Sequence, residues 1–323
     1  MSKYISCAAG LFDKFEHYRL ASDKWSNTAE SNLKLFDKYC AREYPEAEAL
    51  TQIMVDGWCG IRETESPASY RTRIQVVISC LKYLQRRNIC NDIALPEMSC
   101  RRKSFYLPHD FTNEQLKGFF KACDSIELKK SNPISRLRKL QIPVFFRLLL
   151  SSGMRTTEAR LLRVEDVDLK TGVINIRKSK GHDQHYVVLD DSMLEIIRRY
   201  NEIIGKQSLC PNRDCFFPSH LGKPHSRYWV SNNFRALWNS KLYGRAIPYE
   251  LRHYYATYNL NSWVGFGLEF NAKFVYLSKS MGHCVLECTR YYYSLVPALA
   301  DIMLNLINDS FNDIIPDVDY ENL

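Results

Sequence analysis

The sequence lacks two features that mark exported or membrane-bound proteins. It contains no apolar run of about 18 residues, the length from which a transmembrane helix is inferred. It also has no secretory signal at its start. Its eleven cysteines are odd in number and scattered, which does not match a disulfide framework. We therefore expect reduced thiols, a cytoplasmic location and no membrane partner.

A recognisable metal-binding pattern is also missing. The nearest approach is Cys210, Cys215, His220 and His225, which follow one another in even steps of five residues. Zinc fingers instead use a C-x2-4-C pair and an H-x3-5-H pair. The alternative interpretation is a turn-rich loop with small buried thiols. We predict no metal and no other cofactor.

Acidic residues are scarce along most of the chain. Lysine and arginine together number 44 against 36 aspartates and glutamates, which gives a net charge of +8. The last fifteen residues hold five of the acids and no base, so residues 1–308 carry +13. This excess favours a polyanionic partner. Nucleic acid is expected before a membrane surface, because no basic amphipathic helix stands alone.

The first hundred residues contain few glycines, and their apolar residues recur at intervals of three and four, which predicts helices. The clearest helix is predicted over 70–87. Its apolar face consists of Ile74, Val77, Ile78, Leu81 and Leu84. The bases of this helix that are expected to reach solvent or phosphate are Arg71, Arg73, Lys82, Arg86 and Arg87. Each base alone fits a solvated face, whereas the set fits a helical clamp on a duplex.

A change of composition divides the chain after residue 95. Helical periodicity stops over 91–109, where two prolines and the bases Arg101, Arg102 and Lys103 predict a linker that is solvated or follows a phosphate backbone. We expect a helical domain at 1–95, the linker at 96–110, a second domain at 111–310 and an acidic tail at 311–323. A length of 323 residues accommodates two domains.

The second domain is predicted to be mostly helical with one small antiparallel sheet, so the fold class is mainly α with two domains. Thr112 and Gln115 stand in capping-box register before its first helix. The apolar segment 142–150 predicts a buried helix that ends near Gly153, which leaves Arg155 on a turn before the next helix. Alternating residues over 171–189 predict a β-hairpin with Lys180 at its tip.

Four segments carry the side chains that direct attack on a phosphodiester requires. They are SSGMRTTEARLL with Arg155, IRKSKGHDQHYVVL with Lys180, PYELRHYYAT with Arg252, and KSMGHCVLECTRYYYSLV with His283. Arginine clamps phosphate oxygens, a lysine can protonate the leaving oxygen, and a histidine can donate to the phosphate. Each residue alone is typical of a solvated or structural position. Glu158, three residues after Arg155, is expected to hold that guanidinium in place.

Three consecutive tyrosines, Tyr291, Tyr292 and Tyr293, are candidates for the nucleophile. A phenol has an ordinary pKa of about 10, so it attacks a phosphate only where cationic groups stabilise the anion. Consecutive side chains on a helix point about 100° apart, so one of the three faces the clamp. Composition does not select which one.

In order and spacing, the four segments resemble the boxes of the tyrosine recombinase (phage integrase) family over residues 112–300. The resemblance implies a DNA strand transferase with a core-binding domain and a catalytic domain. It implies that Tyr292, nine residues after His283, forms a 3′-phosphotyrosine at a phosphate held by Arg155 and Arg252, without ATP or a metal ion. The implied partners are double-stranded recombination sites of a bacterial mobile element and other copies of the chain, in a tetramer.

One position departs from the family pattern. Tyr249 stands where the H-x-x-R box usually begins with histidine, and a phenol is a poor base near neutral pH, so His253 or His283 is expected to substitute. The helix predicted after Tyr292 is expected to dock either in a neighbouring protomer or in its own. The alternative functions are a type IB topoisomerase, which reseals the same strand, and a noncatalytic DNA-binding derivative.

Overall fold

The computed structural model describes residues 3–97, 108–128, 132–177, 184–206, 210, 213–241, 243–263 and 268–292. The backbone divides into two compact units, Met1–Phe105 and Tyr106–Leu323. Over the described residues it forms twelve α-helices and one three-stranded antiparallel sheet, so the predicted mainly α fold class is confirmed. In these same segments, no helix is both long enough and apolar enough to cross a bilayer.

The first unit consists of four helices around an aromatic-rich core. They are α1 (Ala9–Ala21), α2 (Asn27–Glu43), α3 (Gln52–Cys59) and α4 (Pro67–Gln85). Helix α4 packs against the other three, and Ser66 caps its first turn by accepting a hydrogen bond from the Ser69 amide. The residues that α4 buries include the whole of the predicted apolar face: Ile74, Val77, Ile78, Leu81 and Leu84.

One base of α4 contradicts the sequence prediction. Arg73 is only 4% exposed. Its Nε and Nη2 donate to the carboxylate of Glu65 at 2.9 and 2.6 Å, and its other donors reach the carbonyl oxygens of Trp58 and Gly60. The expectation that Arg73 faces solvent or phosphate is wrong, because Glu65 neutralises it inside the unit. By contrast, Arg86 is exposed and Arg71 is half-buried.

The second unit is built around one long central helix. Its helices are α5 (Asn113–Asp124), α6 (Pro133–Ser152), α7 (Thr156–Leu161), α8 (Asp191–Lys206), α9 (Arg227–Asn239), α10 (Glu250–Ser262), α11 (Leu268–Ser280) and α12 (Glu287–Arg290). Helix α6 packs against α5, α7, α8 and α10, which buries a cluster of phenylalanines and Trp238. The predicted capping box is confirmed, since Thr112 and Gln115 exchange side-chain and backbone hydrogen bonds at the start of α5.

The sheet consists of β1 (Val167–Asp168), β2 (Val173–Ile176) and β3 (His185–Val188), with β2 in the centre. Ile174 pairs with Val187 and Ile176 with His185, and these four side chains are buried. The two predicted strands are therefore present and antiparallel. The predicted tip of their hairpin, Lys180, lies outside the described residues, as do Arg101, Arg102, Lys103, Tyr293, the helix predicted after Tyr292 and the acidic tail.

Candidate active site

The ends of four helices bring most of the predicted site residues of the second unit together. Arg155 occupies the N-cap position of α7, directly after the turn that ends α6. Arg252 lies in the first turn of α10, and His283 follows the turn that ends α11. Tyr292 lies two residues beyond α12. The prediction that Arg155 stands on a turn between two helices is confirmed.

Arg252 is the most deeply buried member of the site, with 1% of its surface exposed. Its Nη1 donates to the Gly153 carbonyl oxygen at 2.7 Å and its Nη2 to the Met281 carbonyl oxygen at 2.6 Å. Burial lowers the pKa of Arg252, and the positive charge of Arg155 lowers it further. Among the described residues, none of the ion pairs includes Arg252. Its charge is therefore surrounded by neutral acceptors, an arrangement that favours the binding of an anion.

Among the described residues, Arg155, in contrast to Arg252, forms an ion pair with a carboxylate. Its Nη1 donates to Glu158 Oε1 at 2.6 Å, and its backbone amide donates to Glu158 Oε2 at 2.7 Å. The prediction that Glu158 holds this guanidinium is thus confirmed. The remaining terminal nitrogen, Nη2, donates to the Gly282 carbonyl oxygen at 2.9 Å. Arg155 is therefore fixed from two sides, by its own helix and by the turn that carries His283.

Two glycines that the sequence analysis did not assign to the site connect the arginines. Gly153 accepts from Arg252 and Gly282 accepts from Arg155, so each arginine contacts the turn that precedes another site residue. Both glycines have a φ of +63°, which disfavours residues with a Cβ. A Cβ on Gly282 would lie 2.5 Å from the His185 ring. The sequence signal for these contacts is a glycine shortly before each of two site residues, Gly153 before Arg155 and Gly282 before His283.

His283 is fixed through both ring nitrogens. Its Nε2 lies 3.0 Å from Arg252 Nη2, and its Nδ1 lies 2.7 Å from the hydroxyl oxygen of Thr289. Because arginine has only donors, Nε2 accepts the hydrogen bond from Arg252. Nδ1 then carries the ring proton and donates a hydrogen bond to the Thr289 hydroxyl. Thr289 is fully buried. No pattern in the sequence marked this threonine as the residue that orients His283.

Tyr292 lies beside Arg252 and is buried. It is 3% exposed, and its ring is nearly parallel to that of His283, with 6.4 Å between the ring centroids. Burial raises the pKa of its phenol to about 12, while the adjacent Arg252 acts in the opposite direction. Tyr291 is more exposed and packs edge-on against Tyr292. Burial therefore disfavours the phenolate, and the adjacent cation is the feature that favours it as a nucleophile.

Tyr249 and His253 form an aromatic pair that adjoins Tyr292. Their ring centroids are 5.1 Å apart, and the His253 ring centroid is 5.5 Å from that of Tyr292. Burial lowers the pKa of His253, which favours the neutral form of its imidazole. Tyr249 is 38% exposed at the N-cap position of α10, at the edge of the site.

The other predicted functional residues are not among those that form the described part of this site. Lys180 and the linker bases are outside the described residues, and Arg71 and Arg86 belong to the first unit. Within the described segments, no three cysteine, histidine or acidic side chains are grouped to hold a metal ion. Of the residues considered for zinc, His225 stacks on Trp229 at a centroid distance of 3.8 Å and bonds to Gln141 at 2.7 Å. These contacts fit a structural role for His225.

Comparison with known proteins identifies the family. The model of the phage integrase family matches residues 109–297. Tyrosine recombinase XerC of Lactobacillus leichmannii is 24% identical over 217 residues, which cover 66% of this chain and 68% of that protein.

Two solved structures share the fold. The XerH site-specific recombinase bound to its difH substrate has a TM-score of 0.59 at 21% identity, over 82% of this chain and 76% of that one. A lambda integrase tetramer bound to a Holliday junction has a TM-score of 0.58 at 16% identity, over 90% of this chain and 78% of that one. Because the family match spans more than half of the sequence, this protein belongs to the phage integrase family of tyrosine recombinases.

Proposed function

We propose that this protein is a site-specific DNA recombinase that cuts and rejoins DNA through Tyr292. The observation that supports this proposal best is the position of Arg252. Its guanidinium contacts the turns before Arg155 and His283 and lies beside the Tyr292 phenol, without a carboxylate partner among the described residues. The negative charge of a phosphate placed there would be stabilised by two arginines, next to the nucleophile.

In the proposed reaction, the Tyr292 oxygen attacks the scissile phosphorus and the bond to the 5′ oxygen breaks. The products are a 3′-phosphotyrosyl bond and a 5′ hydroxyl. The imidazole of His253 is the proposed acceptor of the phenol proton, because its ring lies next to that of Tyr292 and burial favours its neutral form. Lys180 is the proposed donor of the proton to the 5′ oxygen. Tyr249 is the proposed hydrogen-bond donor to a phosphate oxygen, the role left to a phenol that replaces histidine.

The second half of the reaction reverses the first. The 5′ hydroxyl of a partner strand attacks the phosphotyrosine, which releases Tyr292 and joins the exchanged strands. Since the protein linkage conserves the phosphodiester energy, the chemistry needs neither ATP nor a metal ion. Two duplexes must be held together during exchange, and the tetrameric assembly named for the similar lambda integrase structure suggests four protomers here. The helix predicted after Tyr292 would connect them if it docks in a neighbour.

The partner is proposed to be a double-stranded recombination site of a bacterial mobile element, so the protein would act where that DNA lies, in the cytoplasm. The first unit, about residues 1–95, would serve as the core-binding domain. Arg71 and Arg86 of α4 and the linker bases Arg101, Arg102 and Lys103 would contribute phosphate contacts. Inverted repeats that flank the gene in its genome would identify the element.

The experiment that tests this function is covalent trapping. A binding site is first selected from random duplexes and then built with a nick close to the cleavage position, so that a released fragment diffuses away and the phosphotyrosine cannot be resealed. The wild-type protein should form a covalent DNA adduct in the presence of EDTA, and the Tyr292→Phe protein should form none. An adduct of equal yield with Tyr292→Phe would refute the assignment. Relaxation of plasmids without strand exchange would favour the topoisomerase alternative.

A further inference from the structure

A second concave, basic site lies in the same unit and has no role in the chemistry above. It is a cavity of about 460 Å³ whose lining includes Arg160 of α7, Arg227 and Arg235 of α9, and Thr156, Thr157 and Tyr249. We call it the arginine pocket. Part of its lining is apolar, because Val230 and Phe234 of α9 also contribute to it. Apolar lining lowers the local dielectric constant, which strengthens charge interactions in the pocket.

The charges of the arginine pocket are not balanced within it. No aspartate or glutamate lines it, and in the described part of the chain none of its three arginines takes part in an ion pair. Arg160 donates from Nη1 to the His225 carbonyl oxygen at 2.6 Å, but its buried Nε has no hydrogen-bond partner. Burial lowers the pKa of Arg160, and the nearby positive charge of Arg227 lowers it further. Like charges gathered around an unsatisfied donor favour an anionic ligand.

The arginine pocket adjoins the active site through two of its lining residues. Thr156 directly follows Arg155 in sequence, at the start of α7. Tyr249 lines the pocket and occupies the N-cap position of α10, three residues before Arg252. An anion in the pocket would therefore lie next to the phosphate that Tyr292 attacks. In a DNA strand, the group that occupies this position is the neighbouring backbone phosphate.

We propose that the arginine pocket binds the DNA backbone phosphate adjacent to the scissile phosphate on the cleaved strand. This inference rests on the proposed function and adds a contact that fixes the strand before Tyr292 attacks. Guanidinium groups match the paired oxygens of a phosphate, and the threonine hydroxyls supply additional donors. Arg227 and Arg235 are the residues to test, because both are exposed and their replacement should leave the core intact.

The first measurement does not depend on cleavage. Affinity for a labelled duplex of random sequence, about 30 base pairs long, is determined over a range of KCl concentrations, and the slope of log K against log[salt] falls by about 0.9 for each phosphate contact that is lost. The double variant Arg227→Gln/Arg235→Gln should lose about one contact. The matched control is Arg198→Gln/Arg199→Gln, which removes two exposed arginines of α8 and should change the slope less.

Two results of this measurement would overturn the proposal. One is an equal change of slope in the pocket variant and in the control. The other is an unchanged slope in the pocket variant together with binding of a synthetic peptide of residues 309–323 to the wild-type protein but not to the variant. That outcome would identify a site for an acidic peptide. Melting temperatures of the variants establish that they are folded.

The second measurement locates the phosphate. Nicked duplexes carry one neutral methylphosphonate at either phosphate next to the scissile one. One of these two duplexes should reduce the adduct yield of the wild-type protein about tenfold, the effect of losing a hydrogen bond to a charged group. The pocket variant should give a reduced yield on the natural duplex and no further loss on that modified one. Losses that multiply would overturn the proposal. If the wild-type protein forms no adduct at all, the proposed function fails, while the salt dependence still decides the pocket.

Discussion

Two buried arginines, one in each unit, show how the same side chain serves structure or chemistry. Arg73 of α4 is 4% exposed and Arg252 of α10 is 1% exposed. Arg73 is neutralised by the Glu65 carboxylate, to which its Nε and Nη2 donate, whereas Arg252 donates to two carbonyl oxygens and an imidazole nitrogen. Burial is therefore not the distinguishing property. What differs is whether the charge is cancelled by a carboxylate or left for a ligand.

The largest expected effect is on the uncancelled arginine. Arg252→Met should reduce covalent adduct formation by about a thousandfold, because a group that stabilises developing transition-state charge typically contributes that much. Its effect on the free energy of unfolding should be small by comparison, since the change removes a buried charge that has no carboxylate partner among the described residues. Adduct yield on the nicked duplex and urea denaturation measure the two quantities. Full activity of the variant would remove Arg252 from the site.

For Arg73 we expect a large effect on the free energy of unfolding. Arg73→Met should lower the free energy of unfolding by about 3 kcal/mol, because it leaves the Glu65 carboxylate without its partner in a partly buried position. Denaturation with urea measures this, and Arg86→Met on the exposed end of the same helix is the control. Adding Glu65→Leu to Arg73→Met should recover part of the loss. A greater loss in the double variant would show that packing, and not the unpaired charge, causes the effect.

A partly buried histidine of the second unit, His225, gives a pH dependence of stability. Burial lowers the pKa of His225 to about 4 from its ordinary 6.5, so the folded state binds its proton less readily than the unfolded chain. Stability is therefore complete above pH 6.5 and is lost as the pH falls towards 4. We expect a loss of about 2 kcal/mol, less than the full shift because the ring is only partly shielded from water. Urea denaturation measured from pH 7 to pH 4 should show that the free energy of unfolding falls less steeply with pH in His225→Gln than in the wild-type protein.

The smallest expected effect concerns the residue that orients His283. Thr289→Val removes the oxygen that receives the Nδ1 proton of His283 and should reduce the rate of adduct formation about tenfold. Thr289→Ser keeps the hydroxyl and should retain most of the rate, which separates orientation from packing. Single-turnover cleavage measures both. Equal losses in the two variants would assign Thr289 a packing role only.

The local signals of the sequence anticipated much of this structure. The period of apolar residues located the buried face of α4, the turn residues located the end of α6, and the capping box located the start of α5. The same local signals put Arg155 at a helix start beside Glu158. These features depend on residues a few positions apart, so their physics is contained in short segments.

Contacts between distant segments could not be anticipated in the same way. Helical periodicity puts Arg73 among the exposed bases, because periodicity does not reveal that the Glu65 carboxylate and the Trp58 carbonyl accept hydrogen bonds from it. The two glycine carbonyls that accept from the arginines lie far from them in the sequence, so no local pattern predicts these contacts. The contact between Thr289 and His283 depends on the geometry of the turn between them, which no local pattern specifies. The strand β1 was also missed, because two residues are too few to show an alternation.

The choice of Tyr292 from three adjacent tyrosines is the most direct point to test. After trapping on the nicked duplex, the protein is digested and the peptide that carries the 3′-linked nucleotide is fragmented in a mass spectrometer. The account predicts that the nucleotide is attached to Tyr292, and that Tyr291→Phe and Tyr293→Phe still form the adduct. Attachment to Tyr291 or Tyr293 in the wild-type protein would contradict it.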